Sequence, residues 1–117
     1  MATGTVNKPS AVFQWLWTND APSSAFAAQT VELDLTTYDA VLITFAQGTR
    51  FGSLIALKDG NNYFVTIGID STANNYYYKR AAAVDSSGVT FSTGYQNTTT
   101  GTSYAIPQKI YGIKGIS

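Results

Sequence analysis

Acidic side chains are the first candidates for chemistry, because the 117-residue chain contains neither histidine nor cysteine. Without these two residue types there is no Ser-His-Asp or Cys-His arrangement and no zinc or copper site of the usual ligands. Glu32 and Asp34 form the closest acidic pair, and on one strand face they would lie roughly 6 to 7 Å apart, near the spacing in inverting glycosidases. Both occupy polar positions of a clean hydrophobic alternation. We therefore interpret them as part of a solvated outer face and expect no catalytic residue and no enzyme.

Oxygen ligands for a metal occur together at Asp59-Gly60-Asn61-Asn62. This segment holds a single carboxylate, and Asp-Gly between two apolar alternations is typical of a hairpin turn. The glycines elsewhere match neither GxGxxG nor GxxxxGK, so no phosphate-binding loop is expected. The sequence thus predicts no metal site and no cofactor.

A cluster of aromatic and basic residues offers a better binding site. Tyr76, Tyr77 and Tyr78 are followed by Lys79 and Arg80, which places rings on both faces of a strand with two cations beside them. Flat aromatic rings with polar neighbours commonly hold sugars, because C-H groups stack on the ring while hydroxyls find polar partners. We predict that Tyr76, Tyr77, Tyr78 and Arg80 bind ligand, without assigning which tyrosines face solvent.

Two other segments carry aromatic or polar side chains. Trp15 and Trp17 are two positions apart, which places them on one strand face, and we predict that they lie in the core. Residues 92 to 105, STGYQNTTTGTSYA, are small, polar and uncharged. Such a segment is either a solvated loop tip or a recognition loop that reads polar ligands by hydrogen bonds.

The elements that must position these residues are strands. Apolar and polar residues alternate with a period of two, and turn signals recur about every ten residues, as in a sandwich or barrel. Hairpins are predicted at residues 57 to 63 and 84 to 89. The expected fold is an all-β, antiparallel sandwich of jelly-roll-like type with about eight strands. The predicted strands are residues 11 to 17, 29 to 35, 38 to 46, 53 to 58, 62 to 70, 75 to 84, 88 to 96 and 104 to 114.

Some of these strands are apolar on both faces, notably at residues 40 to 43 and 63 to 65. A strand of this kind is covered on both sides, either because it is central in the sandwich or because its outer face meets a partner subunit. The C-terminal strand is similar. Its Pro107 lacks an N-H and so marks an edge, a bulge or the first paired residues of the strand.

The composition excludes several classes of function. Seven Lys and Arg residues balance seven Asp and Glu, and the cations form no basic stripe, so we expect no nucleic-acid binding. No apolar run reaches the ~20 residues of a membrane-spanning helix, and the N-terminus lacks the apolar region of a signal peptide. We therefore expect no membrane insertion. Residues 1 to 10 are predicted to be a flexible N-terminal arm, and residues 11 to 117 a single sandwich domain.

Two segments of the chain resemble known proteins. FQWLWTNDAPSSAFAAQTVELDLTTYDAVLITF (13 to 45) and IPQKIYGIKG (106 to 115) are similar to small structural proteins and C-terminal modules of phages and prophages of Firmicutes. The resemblance implies a virion component of the tail tip, baseplate or fibre, made in the host bacterial cytoplasm. It also implies trimers that contact host surface saccharide or other tail subunits. It carries over no functional residues.

The predicted function is therefore that of a non-enzymatic, tail-associated structural or receptor-binding protein, a homo-oligomer with a trimer favoured. The alternative is a bacterial carbohydrate-binding or adhesin-like module, whose ligand would lie in a groove of outward aromatics. A glycosidase is the least favoured class, because no convergent acid pair is evident beyond Glu32 and Asp34.

Overall fold

A computed structural model describes residues 12–58, 60–69 and 75–115, and in this part of the chain there are nine strands and no helix. Eight of the strands coincide with predicted ones, with ends that differ by up to three residues. The segment predicted to be a flexible arm, residues 1 to 10, lies outside the described residues. The strands are β1 (Val12–Thr18), β2 (Gln29–Glu32), β3 (Ala40–Gln47), β4 (Arg50–Leu57), β5 (Gly60–Ile69), β6 (Asn75–Asp85), β7 (Gly88–Gln96), β8 (Thr99–Gly101) and β9 (Ile106–Lys114).

The strands form two antiparallel sheets that pack face to face. One sheet has the order β1-β9-β3-β4, and the other has the order β2-β7-β6-β5, with the short β8 also paired to β7. The predicted all-β sandwich is thus confirmed. The pairs β1–β9 and β2–β7 join distant parts of the chain in nested fashion, as in a jelly roll. The pairs β3–β4 and β5–β6 instead join consecutive strands.

The structure confirms one of the two predicted hairpins. Strands β6 and β7 meet in a tight turn in which Asp85 pairs with Gly88. The hairpin predicted at residues 57 to 63 is wrong, because β4 pairs with β3 while β5 pairs with β6 in the other sheet. Asp59 lies outside the described residues. An Asp-Gly signal indicates that the chain turns, but it carries no information about which sheet the next strand joins.

The core lies between the inner faces of the two sheets. Strand β3 contributes Val41, Ile43 and Phe45, alternate residues with no exposed surface. From the opposite sheet, Phe64 stacks on Phe45 with ring centroids 4.3 Å apart, and Phe91 meets Phe45 edge-on at 6.2 Å. Such aromatic pairs contribute about 0.5–1.5 kcal/mol beyond their buried area. They also fix how the two sheets sit on each other.

A β-bulge in β1 separates the two tryptophans. Trp15 pairs with Tyr111 and Trp17 with Ile110, so β1 advances by two residues while β9 advances by one. Trp17 packs against the core, 5.9 Å from the Phe26 ring, whereas Trp15 is 64% exposed on the outer face. The prediction that both tryptophans lie in the core is therefore wrong for Trp15, because the extra residue reverses the side-chain alternation.

The C-terminal strand β9 is central, with β1 on one side and β3 on the other. Its backbone is therefore paired along both edges within the domain. Pro107 pairs with Phe45 next to a register shift, close to the start of β9, so of the three predicted alternatives the structure shows a bulge near the first paired residues and not an edge. The two-sided apolar character of β9 and β3 follows from these central positions, whereas β5, the third such strand, lies at a sheet edge.

The polar segment at residues 92 to 105 is not a simple loop. It contains the end of β7 and the short β8, which folds back so that Thr99 pairs with Gln96. Asn97 occupies the turn with a φ of 52°, a conformation that asparagine adopts more readily than most residues. Strand β8 was missed because its Thr-Thr-Gly sequence has no apolar alternation.

Candidate functional site

The three predicted binding tyrosines divide between the two sides of β6. Tyr77 is 41% exposed on the outer face of the five-stranded sheet. Tyr76 and Tyr78 point to the opposite side, with ring centroids 6.4 Å apart, and Tyr78 packs against the core and the Tyr104 ring. Alternation along the strand therefore divides the run, and Tyr77 is its most exposed member.

Arg80 is completely buried, which corrects its predicted place in a ligand-binding surface. All of its guanidinium nitrogens donate to main-chain carbonyl oxygens, so its N-H groups are used inside the protein. Nε donates to Ala105 at 2.8 Å, Nη1 to Phe26 at 2.9 Å and Ser92 at 2.7 Å, and Nη2 to Thr102 at 3.2 Å and Tyr104 at 2.8 Å.

The contacts of Arg80 connect three segments that are distant in sequence. One acceptor lies in the connection between β1 and β2, one in β7, and three in the connection between β8 and β9. Burial lowers the pKa of Arg80 to about 10, while the carbonyl dipoles around it favour the charged form. Arg80 is thus a cation at neutral pH, and its role is to hold these segments together.

The outer face of the four-stranded sheet carries two apolar rows that cross all four strands. Phe13, Trp15, Ile55 and Leu57 are each at least 50% exposed, while Ile113 lies buried between them. We call the eight residues of the two rows the apolar face. In strand order they are Phe13, Ile113, Ala40 and Leu57, and Trp15, Tyr111, Leu42 and Ile55.

Two local features of the sequence create the apolar face. The bulge in β1 turns Trp15 outwards, opposite Tyr111. In β4 the continuous apolar run from Leu54 to Leu57 serves both faces, because Ala56 is buried while Ile55 and Leu57 are exposed. The sequence reasoning noted two-sided apolar strands at residues 40 to 43 but missed β4, where the same signal is present.

A second candidate surface lies on the outer face of the five-stranded sheet. Here a depression of about 320 Å³ is lined by Tyr63, Lys79, Ala81, Ser92 and Tyr95. Tyr63 pairs with Ala81, and Lys79 pairs with Tyr95, so the lining comes from the three adjacent strands β5, β6 and β7. The Lys79 Nζ atom lies 5.2 Å from the centroid of the Tyr95 ring. We call this depression the tyrosine hollow.

The candidate acid pair is not arranged as the strand prediction implied. Strand β2 ends at Glu32, so Asp34 lies in the following loop, although both line an open depression of about 470 Å³. The Asp34 carboxylate accepts hydrogen bonds from the Thr36 hydroxyl at 2.7 Å and the Thr36 N-H at 3.1 Å. These bonds lower the pKa of Asp34 below its ordinary 3.8, opposite to the raised pKa that a general acid needs.

The acidic side chains of the described residues do not cluster into a metal site. Within residues 12–58, 60–69 and 75–115, no three His, Cys, Asp or Glu side chains come together in a way that could hold an ion. The same part of the chain contains no helix of the length and apolarity needed to cross a membrane.

Fold and surface together define a class of protein, a small antiparallel β-sandwich with an apolar outer face on one sheet and an aromatic hollow on the other. Comparison with protein-family models found no match, and comparisons with curated proteins and with solved structures found none either. The resemblance of the two end segments to phage structural proteins therefore stays a prediction.

Proposed function

We propose that this chain is a non-enzymatic structural subunit of a phage tail, which assembles with copies of itself through the apolar face. The observation that carries the proposal is the pair of apolar rows across the four-stranded sheet, in which Phe13, Trp15, Ile55 and Leu57 are half exposed or more. Exposed apolar surface marks interaction sites in soluble proteins. Here it follows the row of Trp15, Tyr111, Leu42 and Ile55 and the two ends of the other row, in which Ile113 and Ala40 are buried.

The apolar face supplies part of the area of a specific interface. A large aromatic side chain buries ~150–250 Å² in a contact, so four large side chains exposed by half or more offer roughly 400–500 Å². That is about half of the ~800 Å² that each partner contributes to a standard interface. The half-buried Leu42 and Tyr111 and the neighbouring residues of β1 and β4 extend the same surface.

The chemistry of the apolar face favours a second copy of the chain as its partner. None of its eight residues is charged, and an uncharged apolar surface is complementary to itself without an oppositely charged partner. Closed symmetry then buries the same patch on every subunit. The resemblance to tail proteins implies that the closed assembly is a trimer.

The placement in a virion rests on the resemblance at residues 13 to 45 and 106 to 115. It agrees with the low charge content of 12%, since a subunit enclosed by its neighbours exposes less surface to water. In this proposal the apolar face joins tail subunits, and the opposite sheet is available to contact host surface saccharide.

A second candidate function is a bacterial carbohydrate-binding or adhesin-like module. The observation that favours it is the tyrosine hollow, which presents two aromatic side chains and a lysine on one sheet face. In this case the chain would bind its ligand as a monomer, and the apolar face would pack against another part of a larger protein.

The first experiment is to measure the solution mass of the purified chain by light scattering after size exclusion, at several concentrations. We expect a trimer of three 12.5 kDa subunits. Trp15→Lys and Ile55→Lys should each shift the population to monomer, because a buried unpaired charge at the interface is costly. The matched control is Val65→Lys, an equally exposed apolar residue on the other sheet, which should leave the mass unchanged.

Two outcomes would count against the proposal. A wild-type chain that is monomeric at every concentration would contradict self-assembly and would favour the hypothesis of a carbohydrate-binding or adhesin-like module. Dissociation by Val65→Lys but not by Trp15→Lys would place the interface on the other sheet. Circular dichroism of each variant would show that the sandwich is intact.

A further inference from the structure

We infer that the tyrosine hollow is a binding site for an acidic saccharide, one that carries a carboxylate or phosphate group. Its residues differ from those predicted from the sequence, since the hollow uses Tyr63, Lys79 and Tyr95 and none of Tyr76, Tyr77, Tyr78 and Arg80 lines it. This inference deepens the saccharide contact in the proposed function and rests on it. Its experiment is independent of the apolar face, which lies on the other sheet.

The shape of the hollow fits a sugar ring. Its floor is Ala81 on β6, a small side chain, with Tyr63 on β5 and Tyr95 on β7 to either side. Neighbouring strands lie ~4.8 Å apart, so the two aromatic walls stand on backbones separated by roughly 10 Å. The volume of about 320 Å³ lies at the small end of ligand sites, where one or two sugar units can be held.

A bulge in β7 lies beside the hollow and contributes Ser92 to its lining. Arg80 pairs with Gly94 and Ala82 with Phe91, so Ala81 of β6 lies opposite two residues of β7, Ser92 and Thr93. The Ser92 hydroxyl accepts from the Ala81 N-H at 2.9 Å and donates to the Thr93 carbonyl at 2.8 Å. The hydroxyl therefore gives the Ala81 N-H a hydrogen-bond partner at the bulge.

The polar groups that face the hollow select for an anion. Among the described residues that line the hollow, Lys79 is the one that is charged and none is a carboxylate. Its ammonium group lies over one face of the Tyr95 ring, from where it can pair with an anionic group of a ligand in the hollow. Tyr63, which is 56% exposed, adds an aromatic face and a phenolic hydroxyl. Aromatic faces beside a single cation suit a sugar that carries a negative charge.

Calorimetric titration of the wild-type chain with short polygalacturonate and hyaluronan oligosaccharides tests the inference. Neutral dextran oligosaccharide and methyl-esterified galacturonate serve as uncharged ligands. We expect the acidic oligosaccharides to bind at least tenfold more tightly than the uncharged ones. The difference should shrink in 0.5 M salt, because exposed charges are then screened.

Variants locate the site. Tyr63→Ala, Tyr95→Ala and Lys79→Gln should each weaken binding of the acidic oligosaccharide by about tenfold, which corresponds to the loss of a single good contact. Tyr77→Ala is the matched control, because Tyr77 is exposed on the same face but does not line the hollow. Lys109→Gln controls for loss of one exposed lysine elsewhere. All variants should keep the wild-type mass in light scattering.

Several results would overturn the inference. Failure of the wild-type chain to bind either acidic oligosaccharide would remove it, and equal binding of the methyl ester would remove the role of Lys79. Equal losses from Tyr77→Ala and Tyr63→Ala would place the site elsewhere on the sheet. Competition by inorganic phosphate alone at the same concentration as the oligosaccharide would indicate a general anion site. If only the mass of the Trp15→Lys variant behaves contrary to expectation, assembly fails and the saccharide site stands.

Discussion

At the scale of single residues, Arg80 shows how a surface-type side chain becomes part of the core. Its five donors all meet main-chain carbonyl oxygens, which satisfies a guanidinium completely without any carboxylate. In exchange, the carbonyls of the connection between β8 and β9 lose their contact with water but keep a charged donor. Charge-assisted bonds of this kind are roughly twice as strong as neutral ones.

Replacement of Arg80 should therefore destabilise the sandwich strongly. Arg80→Met keeps the length of the side chain but removes the guanidinium donors from five carbonyl oxygens, of which that of Thr102 keeps the Phe26 N-H as a donor. We expect a loss of ~3 kcal/mol or more in the free energy of unfolding. Arg80→Lys retains the charge but has at most three donors, and should fall in between. Urea denaturation measures both. The control is Lys79→Met, at the adjacent outward position, and an equally low midpoint for it would show that charge loss alone is responsible.

Asp34 provides a residue-scale test with a pH dependence. Its pKa is lowered by the Thr36 hydroxyl first and by the Thr36 N-H second. Because the folded pKa lies below the unfolded one, the stabilisation is present above pH 3.8 and is lost as the pH falls through the folded pKa. In Thr36→Val the hydroxyl is absent and the N-H remains, so the pKa of Asp34 should rise part of the way back.

The pKa of Asp34 can be followed by NMR titration of its carboxyl carbon in both proteins. Thr37→Val, at the next exposed position, is the matched control. A wild-type pKa above 3.8 would contradict the hydrogen-bonded turn and would reopen the acid pair as a candidate for catalysis.

At the scale of elements, irregularities in the strands decide which side chains reach each surface. The bulge in β1 brings Trp15 to the apolar face, and the shift in β7 lies at Ser92, which lines the tyrosine hollow. In β4, the absence of a side chain at Gly52 makes room for the stacked pair of Phe45 and Phe64 between the sheets. Regular alternation along these strands would not place the same side chains on the two surfaces and in the core.

Gly52→Ala should destabilise the sandwich by overpacking the core. An added Cβ would lie 2.7 Å from Cε1 of Phe64, whose ring is 6% exposed and stacked on Phe45. We expect a cost of ~1–3 kcal/mol in the free energy of unfolding, because the ring has little room to move. Thermal or urea unfolding measures it.

A double-mutant cycle makes the cause specific. Phe64→Leu in the Gly52→Ala background should cost less than the sum of the two single changes, because the smaller side chain relieves the contact. Strict additivity would contradict a clash between these two positions. Ser53→Ala, at the exposed neighbouring position of β4, is the control for the effect of alanine on strand propensity.

At the scale of the whole molecule, the two sheets have different outer surfaces. One sheet turns an uncharged apolar face outwards, and the other turns outwards a hollow with two tyrosines and a lysine. A thin sandwich has two outer faces, so assembly through one leaves the other free to bind. We therefore expect the mass changes caused by Trp15→Lys and the binding losses caused by Tyr63→Ala to occur independently of each other.

Local sequence patterns predicted much of this architecture, and particular residues show what they could not predict. The alternation in β3 and β9 predicted strands and the need to cover both of their faces. The Asp-Gly signal after β4 led to the prediction of a hairpin between β4 and β5, which is wrong. These two strands lie in different sheets, because the packing of the whole core determines which strands pair. The run from Tyr76 to Arg80 predicted a binding surface, yet one register position decides that Tyr77 faces out and Arg80 faces in.

The sequence by itself determined the strand content, the antiparallel sandwich and the absence of histidine and cysteine chemistry, because side-chain periodicity and composition are local properties. Only the tertiary structure decided which side chains form the two surfaces. The burial of Arg80 depends on Phe26, 54 positions away, and the exposure of Trp15 depends on its register with β9. Contacts over such separations are set by packing between the sheets, and no local pattern encodes them.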